Sequence, residues 1–228
     1  MISSNTKTIF ARCLMIGSVF FLAGCASEQS RTLDVAKVAS AGTRYDGVRS
    51  QIAVGKFDNR SSFMKGIFSD GVDRLGSQAK TILITHLQQT GRFNVLDRDN
   101  MSEIKQEAEY AKSTQTIKGA SYVITGDVTE FGRKETGDKQ LFGLLGRGKS
   151  QVAYAKVNLN VLNVQTSEVV FSAQGAAEYS LDTREIVGTG GTSSYDSTLN
   201  GKVLDLAMRE AVNNLVNGIQ SGTWQPGR

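Results

Sequence analysis

An apolar N-terminal run closing on Leu22-Ala23-Gly24-Cys25 constrains this chain more than any other feature. Lys7 and Arg12 give the start a positive charge without a single acid. Cys13 to Gly24 is apolar but too short for a stable membrane helix, which takes about 20 residues. A basic start, a short apolar core and small residues before a cleavage point make a signal peptide. Leu-Ala-Gly-Cys is what a lipoprotein signal peptidase accepts once the cysteine sulfur carries a diacylglycerol, so Cys25 is the expected lipidation site and first mature residue. Ala26, in place of Asp, follows the bacterial pattern sent on to the outer membrane. Several acyl chains, palmitate among them, make such attachment long-lived. The expected location is the periplasmic face of the outer membrane.

Of the 228 residues, 204 follow position 24, enough for one domain with a sizeable core. The signal peptide removes two of the 26 basic residues and none of the 22 acidic ones, which lowers the formal charge from +4 to +2. So small a balance gives no electrostatic case for nucleic acid. Cys13 and Cys25 are the two cysteines, so the mature domain has no disulfide framework and holds by packing. With His86 as the single histidine, the usual ligands of zinc and copper are absent, and no metal or other cofactor is expected.

Residues 26–50 lack a sustained apolar period and read as a flexible tether, so that the chain divides into a signal peptide (1–24), a lipidated tether (25–50) and a domain (51–228). Ile52 to Phe57 is a short apolar strand. A helix follows, with Val72, Leu75, Ala79, Ile82, Leu83 and Leu87 at steps of three and four and Gly91 placed to end it. His86 lies on this helix as a partly buried structural residue, with no carboxylate or hydroxyl partner assignable. Phe93 to Arg98 reads as a second strand. Asn100 and Glu103 form a capping-box-like start to a second helix, whose buried stripe is Met101, Ile104, Ala108 and Ala111. After a strand through Tyr122–Val128, two long strands at about Val152–Val164 and Glu168–Tyr179 form a hairpin around Gln165-Thr166-Ser167. In the first of these, Ala155, Val157, Leu159 and Val161 alternate with Lys156, Asn158 and Asn160, so one face is buried and the other meets water or a partner. A last helix, about Gly201 to Gln220, buries Leu204, Ala207, Met208, Ala211, Leu215 and Ile219. The order predicts an α/β sandwich: a mixed sheet with helices packed on it and an antiparallel hairpin at one side.

Four segments carry a family resemblance: Ile52–Phe57 with Asp58-Asn59-Arg60, Thr90-Gly91-Arg92-Phe93-Asn94-Val95-Leu96-Asp97-Arg98, Tyr122-Val123-Ile124-Thr125-Gly126, and Val164-Gln165-Thr166-Ser167-Glu168-Val169. Together with the lipobox they resemble the CsgG family of curli-secretion lipoproteins, over about Gln51 to Trp224. The resemblance implies an outer-membrane lipoprotein whose periplasmic α/β domain assembles into a homo-oligomeric ring. Two inserted hairpins per subunit then build a shared β-barrel through which unfolded curli subunits pass. The family's pore-narrowing loop has its positional counterpart at 58–70, where Phe63, Met64 and Phe68 are candidate pore-loop residues, although residues of this kind are more often core plugs.

The inserted loops fall at 132–151 and 180–199, and a spanning strand takes about 9 to 11 residues with one apolar row. In the first half of the first segment Lys134 and Asp138 share one row and Arg133, Glu135 and Lys139 the other, whereas its second half, Phe142 to Gln151, has one row without charge: Phe142, Leu144, Gly146, Gly148 and Ser150. The second segment likewise places Asp182 and Arg184 on one row and Glu185 on the other. Leu141, Phe142, Leu144 and Leu145 form an apolar island between Lys139 and Arg147, a candidate membrane or partner contact. Gly188-Thr189-Gly190-Gly191-Thr192 lacks the spacing and the Lys of a phosphate loop. Asp58, Asp97, Asp99 and Asp127 lie near strand ends, where carboxylates cap turns and helices. No catalytic constellation emerges, and an enzyme is not expected. Three functional classes stay open: a curli-type export or assembly component, a periplasmic adaptor lipoprotein without a pore similar to activators of penicillin-binding proteins, and a hydrolase.

Overall fold

Eight elements follow one another in the order β1 (Ser50–Asn59), α1 (Arg74–Gln89), β2 (Phe93–Leu96), α2 (Met101–Tyr110), β3 (Tyr122–Lys139), β4 (Arg147–Asn163), β5 (Val169–Glu185) and α3 (Thr198–Gln220). The structure, a computed structural model, describes residues 35–63, 72–139, 147–185 and 198–226. The strands form one mixed sheet in the order β2-β1-β3-β4-β5. β1 is parallel to both β2 and β3, while β3, β4 and β5 run antiparallel to their neighbours. Parallel neighbours need a crossover, which α1 supplies between β1 and β2 and the α2 region between β2 and β3. This is the expected α/β architecture.

The alternation read along β4 is realised: Ala155, Val157, Leu159 and Val161 are buried. They join Ile52 and Val54 of β1 and Ile124 and Val128 of β3 in a core sealed by α1 and α3. From α1 come Leu75, Ala79, Leu83 and Leu87, and from α3 come Leu204, Ala207, Met208, Ala211 and Leu215. Burying each such aliphatic side chain contributes about 1.5 to 3 kcal/mol. Gly91 has φ +66°, the left-handed conformation that ends α1 where expected. At the other end of α1, the Asp73 carboxylate accepts from Gly76 N (2.7 Å) and from Asn59 N, so one side chain ties the end of β1 to the start of the helix.

α3 lies unusually close to β5. A Cβ on Gly175 would sit 2.0 Å from the Ala207 carbonyl oxygen and 2.4 Å from Ala211 N, both backbone atoms. Only a strand residue without a side chain, facing two alanines, permits this approach. Trp224, beyond α3, closes the core from one end, stacked between Phe93 (6.1 Å) and Phe171 (5.9 Å) and edge-on to Tyr122 (5.4 Å).

Three local expectations are corrected. Residues 37–49 are not all tether, because Lys37–Arg228 form one unit in which Val38 is 3% exposed and Ala39 N donates to Asn213 Oδ1 on α3 (2.9 Å). A single anchoring valine leaves no periodic signal. β2 stops at Leu96, and α2 buries no residue: Ile104 is 40% exposed and Asn100 makes no side-chain cap. The core face of the sheet is occupied by α1 and α3, so the stripe on α2 has nothing to cover. Val72, expected on α1, precedes the helix and is exposed.

Asp97 takes over the role expected of Asn100. Its carboxylate accepts from the Asn100 side chain (2.6 Å) and from the backbone N–H groups of Asp99 (2.9 Å) and Asn100 (3.2 Å). These bonds, the Asn100 side chain foremost, hold its pKa below the ordinary 3.8.

Two outcomes follow from this packing. Gly175→Ala should lower stability by about 1 to 3 kcal/mol in chemical denaturation, since helix and strand must separate to admit the methyl group. A depressed carboxylate pKa gives stability that is present above the unfolded value and lost as pH falls through the folded one. The Asp99 and Asn100 amide resonances should therefore titrate with a midpoint below 3.8, and Asp97→Asn should remove that titration; a midpoint at or above 3.8 would contradict the capping role.

Candidate membrane and partner surface

β3, β4 and β5 outrun the rest of the sheet. The ladder between β1 and β3 ends at Asn59↔Val128, whereas β3 and β4 stay paired to Lys139↔Arg147 and β4 and β5 to Arg147↔Glu185. Beyond Val128 the sheet is thus a three-stranded ribbon, and Glu130–Lys139 at about 3.3 Å per residue makes it about 30 Å long. Among the described residues, neither the outer edge of β3 over this stretch nor that of β5 has a ladder partner.

α3 supports the first part of the ribbon. Arg133 Nε donates to Asn200 Oδ1 (2.8 Å), and Lys202 Nζ lies 5.3 Å over the Tyr179 ring. These contacts define the rung Arg133↔Ala153↔Tyr179. Beyond it the register continues through Lys134↔Val152↔Ser180 to Lys139↔Arg147↔Glu185.

The sheet face away from the helices is open and polar. Asn158 Nδ2 donates to Asp127 Oδ1 (3.3 Å), Arg60 pairs with Asp127 (3.4 Å), Ser172 Oγ donates to Asn160 Oδ1 (2.7 Å), and Lys156 pairs with Glu130 (3.7 Å). Exposed pairs of this kind add about 0 to 1 kcal/mol each. Asp58 pairs with Lys56 (3.0 Å) and Asp99 with Lys80 (2.6 Å), so the strand-end carboxylates each hold a local partner. Among the described residues no group of three His, Cys, Asp or Glu side chains is placed to hold a metal ion, and no helix is long and apolar enough to cross a membrane.

Of the candidate site residues, Phe63 is half-buried, edge-on to Phe131 of β3 with ring centroids 4.7 Å apart. Cys25, Met64, Phe68, Leu141, Phe142, Leu144 and Leu145 lie outside the described residues. Sequence reasoning missed the partner of His86. The imidazole is 2% exposed, with Nε2 2.9 Å from Asp205 Oδ1 on α3 and Nδ1 3.3 Å from Gln89 Oε1. A His–Asp pair is also part of hydrolytic triads, but the second nitrogen here meets an amide rather than a hydroxyl or thiol nucleophile. The pair is an interhelical tie. Its one sequence signal was an acid, Asp205, beside Leu204 in the apolar stripe of α3.

The chain is 65% identical over 222 residues to a Neisseria meningitidis serogroup B protein named "Putative lipoprotein NMB1126/NMB1164", covering 97% of this chain and all of that one. Among solved structures it is similar to the PelC dodecamer of Paraburkholderia phytofirmans, at 14% identity and a TM-score of 0.35, with 73% of this chain and 88% of that one covered. It is also similar to the LpoB C-terminal domain of Salmonella enterica, at 17% identity and a TM-score of 0.32, with 58% and 86% covered. The family model for the curli production assembly/transport component CsgG matches residues 33–227. Nearly the whole chain lies within that match, and the chain belongs to the CsgG family.

Proposed function

We propose that this chain is a lipid-anchored component of the outer membrane that works as a homo-oligomer in the export or assembly of curli-like amyloid subunits, not as an enzyme. Family membership supports the reading, and the ribbon of β3, β4 and β5 carries it. A long regular strand edge is a template for pairing, and folded proteins cover, shorten or pair such edges. Ribbons of neighbouring copies joined edge to edge around a ring would satisfy both free edges at once. The anchor is the acyl group on Cys25. The apolar island Leu141, Phe142, Leu144 and Leu145, following directly on β3, is the proposed contact with membrane or partner, and Phe63, Met64 and Phe68 are the proposed pore-loop residues.

A second reading, a tethered periplasmic adaptor without a pore, draws support from the ribbon's composition. In the sequence, Lys134 and Asp138 fall on one row of this extension and Arg133, Glu135 and Lys139 on the other. A Lys or Arg at the bilayer midplane costs about 2 to 4 kcal/mol, against about 0 to 1 kcal/mol near the interface.

Light scattering on a sizing column, applied to the mature chain carrying Cys25→Ser with and without detergent, separates the two. A closed oligomer that needs detergent is the expected result; a monomer soluble in water at all concentrations would replace the export reading with the adaptor. Replacing Leu144 and Leu145 by Asp should abolish membrane insertion or docking while leaving the fold intact, with stability changed by no more than about 0.5 kcal/mol. Unchanged assembly and extraction of the double variant would remove the island from the proposed contact.

A further inference from the structure

One buried cation has no counter-ion. Arg92, in the turn between α1 and β2, is 5% exposed, yet among the described residues no carboxylate lies within ion-pair distance. One terminal nitrogen donates to Thr90 O (2.9 Å) and to Thr43 Oγ1 (3.4 Å), and the guanidinium carbon lies 5.3 Å over the Tyr45 ring. Its Nε is buried without any acceptor. Close by, Ser40 is 6% exposed and its Oγ is likewise buried and unpartnered. Both residues line the same cavity of about 330 Å³, between the segment Ala39–Arg44 and the C-terminal half of α3.

The rest of the lining repeats this chemistry. Thr43, Asn213, Asn217 and Gln220 supply a hydroxyl and amides, Arg44 is paired with Asp46 (2.6 Å), and no acidic residue is in the lining. Burying a charge without a partner is costly, and a buried donor left unmade costs about 1 to 3 kcal/mol. Neutral acceptors and an aromatic face offset part of this, but they do not supply the negative charge. An oxyanion does, because its oxygens match the charged N–H donors of a guanidinium.

We infer that this cavity is a binding site for an oxyanion, a carboxylate or phosphate borne by a small polar ligand, with Arg92 as the charge partner. The site stands apart from the ribbon and does not depend on the export reading. Because Thr43 and Tyr45 also touch Arg92, an occupied cavity fastens the segment that leads in from residue 37.

Calorimetric titration of the full-length protein in detergent, at constant ionic strength, tests the assignment with sodium phosphate in one series and sodium glutamate in another, against sodium chloride. Saturation by at least one oxyanion is expected; phosphate alone would identify a phosphate-bearing ligand and glutamate alone a carboxylate-bearing one. Arg92→Gln should weaken that binding at least tenfold. Asn217→Glu, at an exposed position on the rim, should abolish it while the protein stays folded, which keeps the test decisive if Arg92→Gln does not fold. Heats that match chloride for both oxyanions, or saturation unchanged in Asn217→Glu, would overturn the site and leave Arg92 as a cap on the last carbonyls of α1.

Discussion

The contact between Gly175 and the backbone of α3 at Ala207 and Ala211 sets the position of nearly everything else. With no Cβ on the strand and only methyl groups on the helix, α3 settles against β5 at backbone distance. From there it reaches four sites in turn: Asn200 meets Arg133 on the ribbon, Asp205 meets His86 on α1, Asn213 holds Ala39, and the turn beyond Gln220 delivers Trp224 to its aromatic neighbours. A bulkier residue at position 175 would displace all four together. Protein interiors transmit such strain because they are close-packed.

The ribbon poses a different physical question from the body beneath it. Below Val128 the sheet is organised by burial, with one face dry under two helices and the other wet. Past the rung of Arg133 the three strands stay paired without the rest of the sheet, and what continues there is the backbone ladder itself.

Much of the body was legible in the sequence because burial there is periodic. The alternation from Ala155 to Val161 and the stripe from Leu204 to Leu215 give the two periods cleanly, and Gly91 marks the end of α1. The misses share a cause: single residues whose partners lie far along the chain. Val38 is buried by α3, the Asp73 carboxylate reaches back to Asn59, and His86 meets Asp205 across 119 positions. No local pattern encodes such meetings. α2 failed in the opposite way, since its Met101, Ile104 and Ala108 have a helical period, but the sheet face that would have received them is taken. Of the candidate surface, its continuity with β3, β4 and β5 required the register.

α2 therefore stands as a ten-residue helix with no buried side chain. Helices shorter than about 12 to 15 residues are marginal in water without tertiary packing, whatever their sequence. Local ties hold this one, such as the Asp97 carboxylate at its start and the Gln106 amide donating to the Tyr110 hydroxyl (2.7 Å). With no buried side chain to hold it, its amides are expected to open by local fraying rather than by global unfolding. Within a fold fastened from end to end by α3, this is an element that can melt and reform while the sheet stays intact.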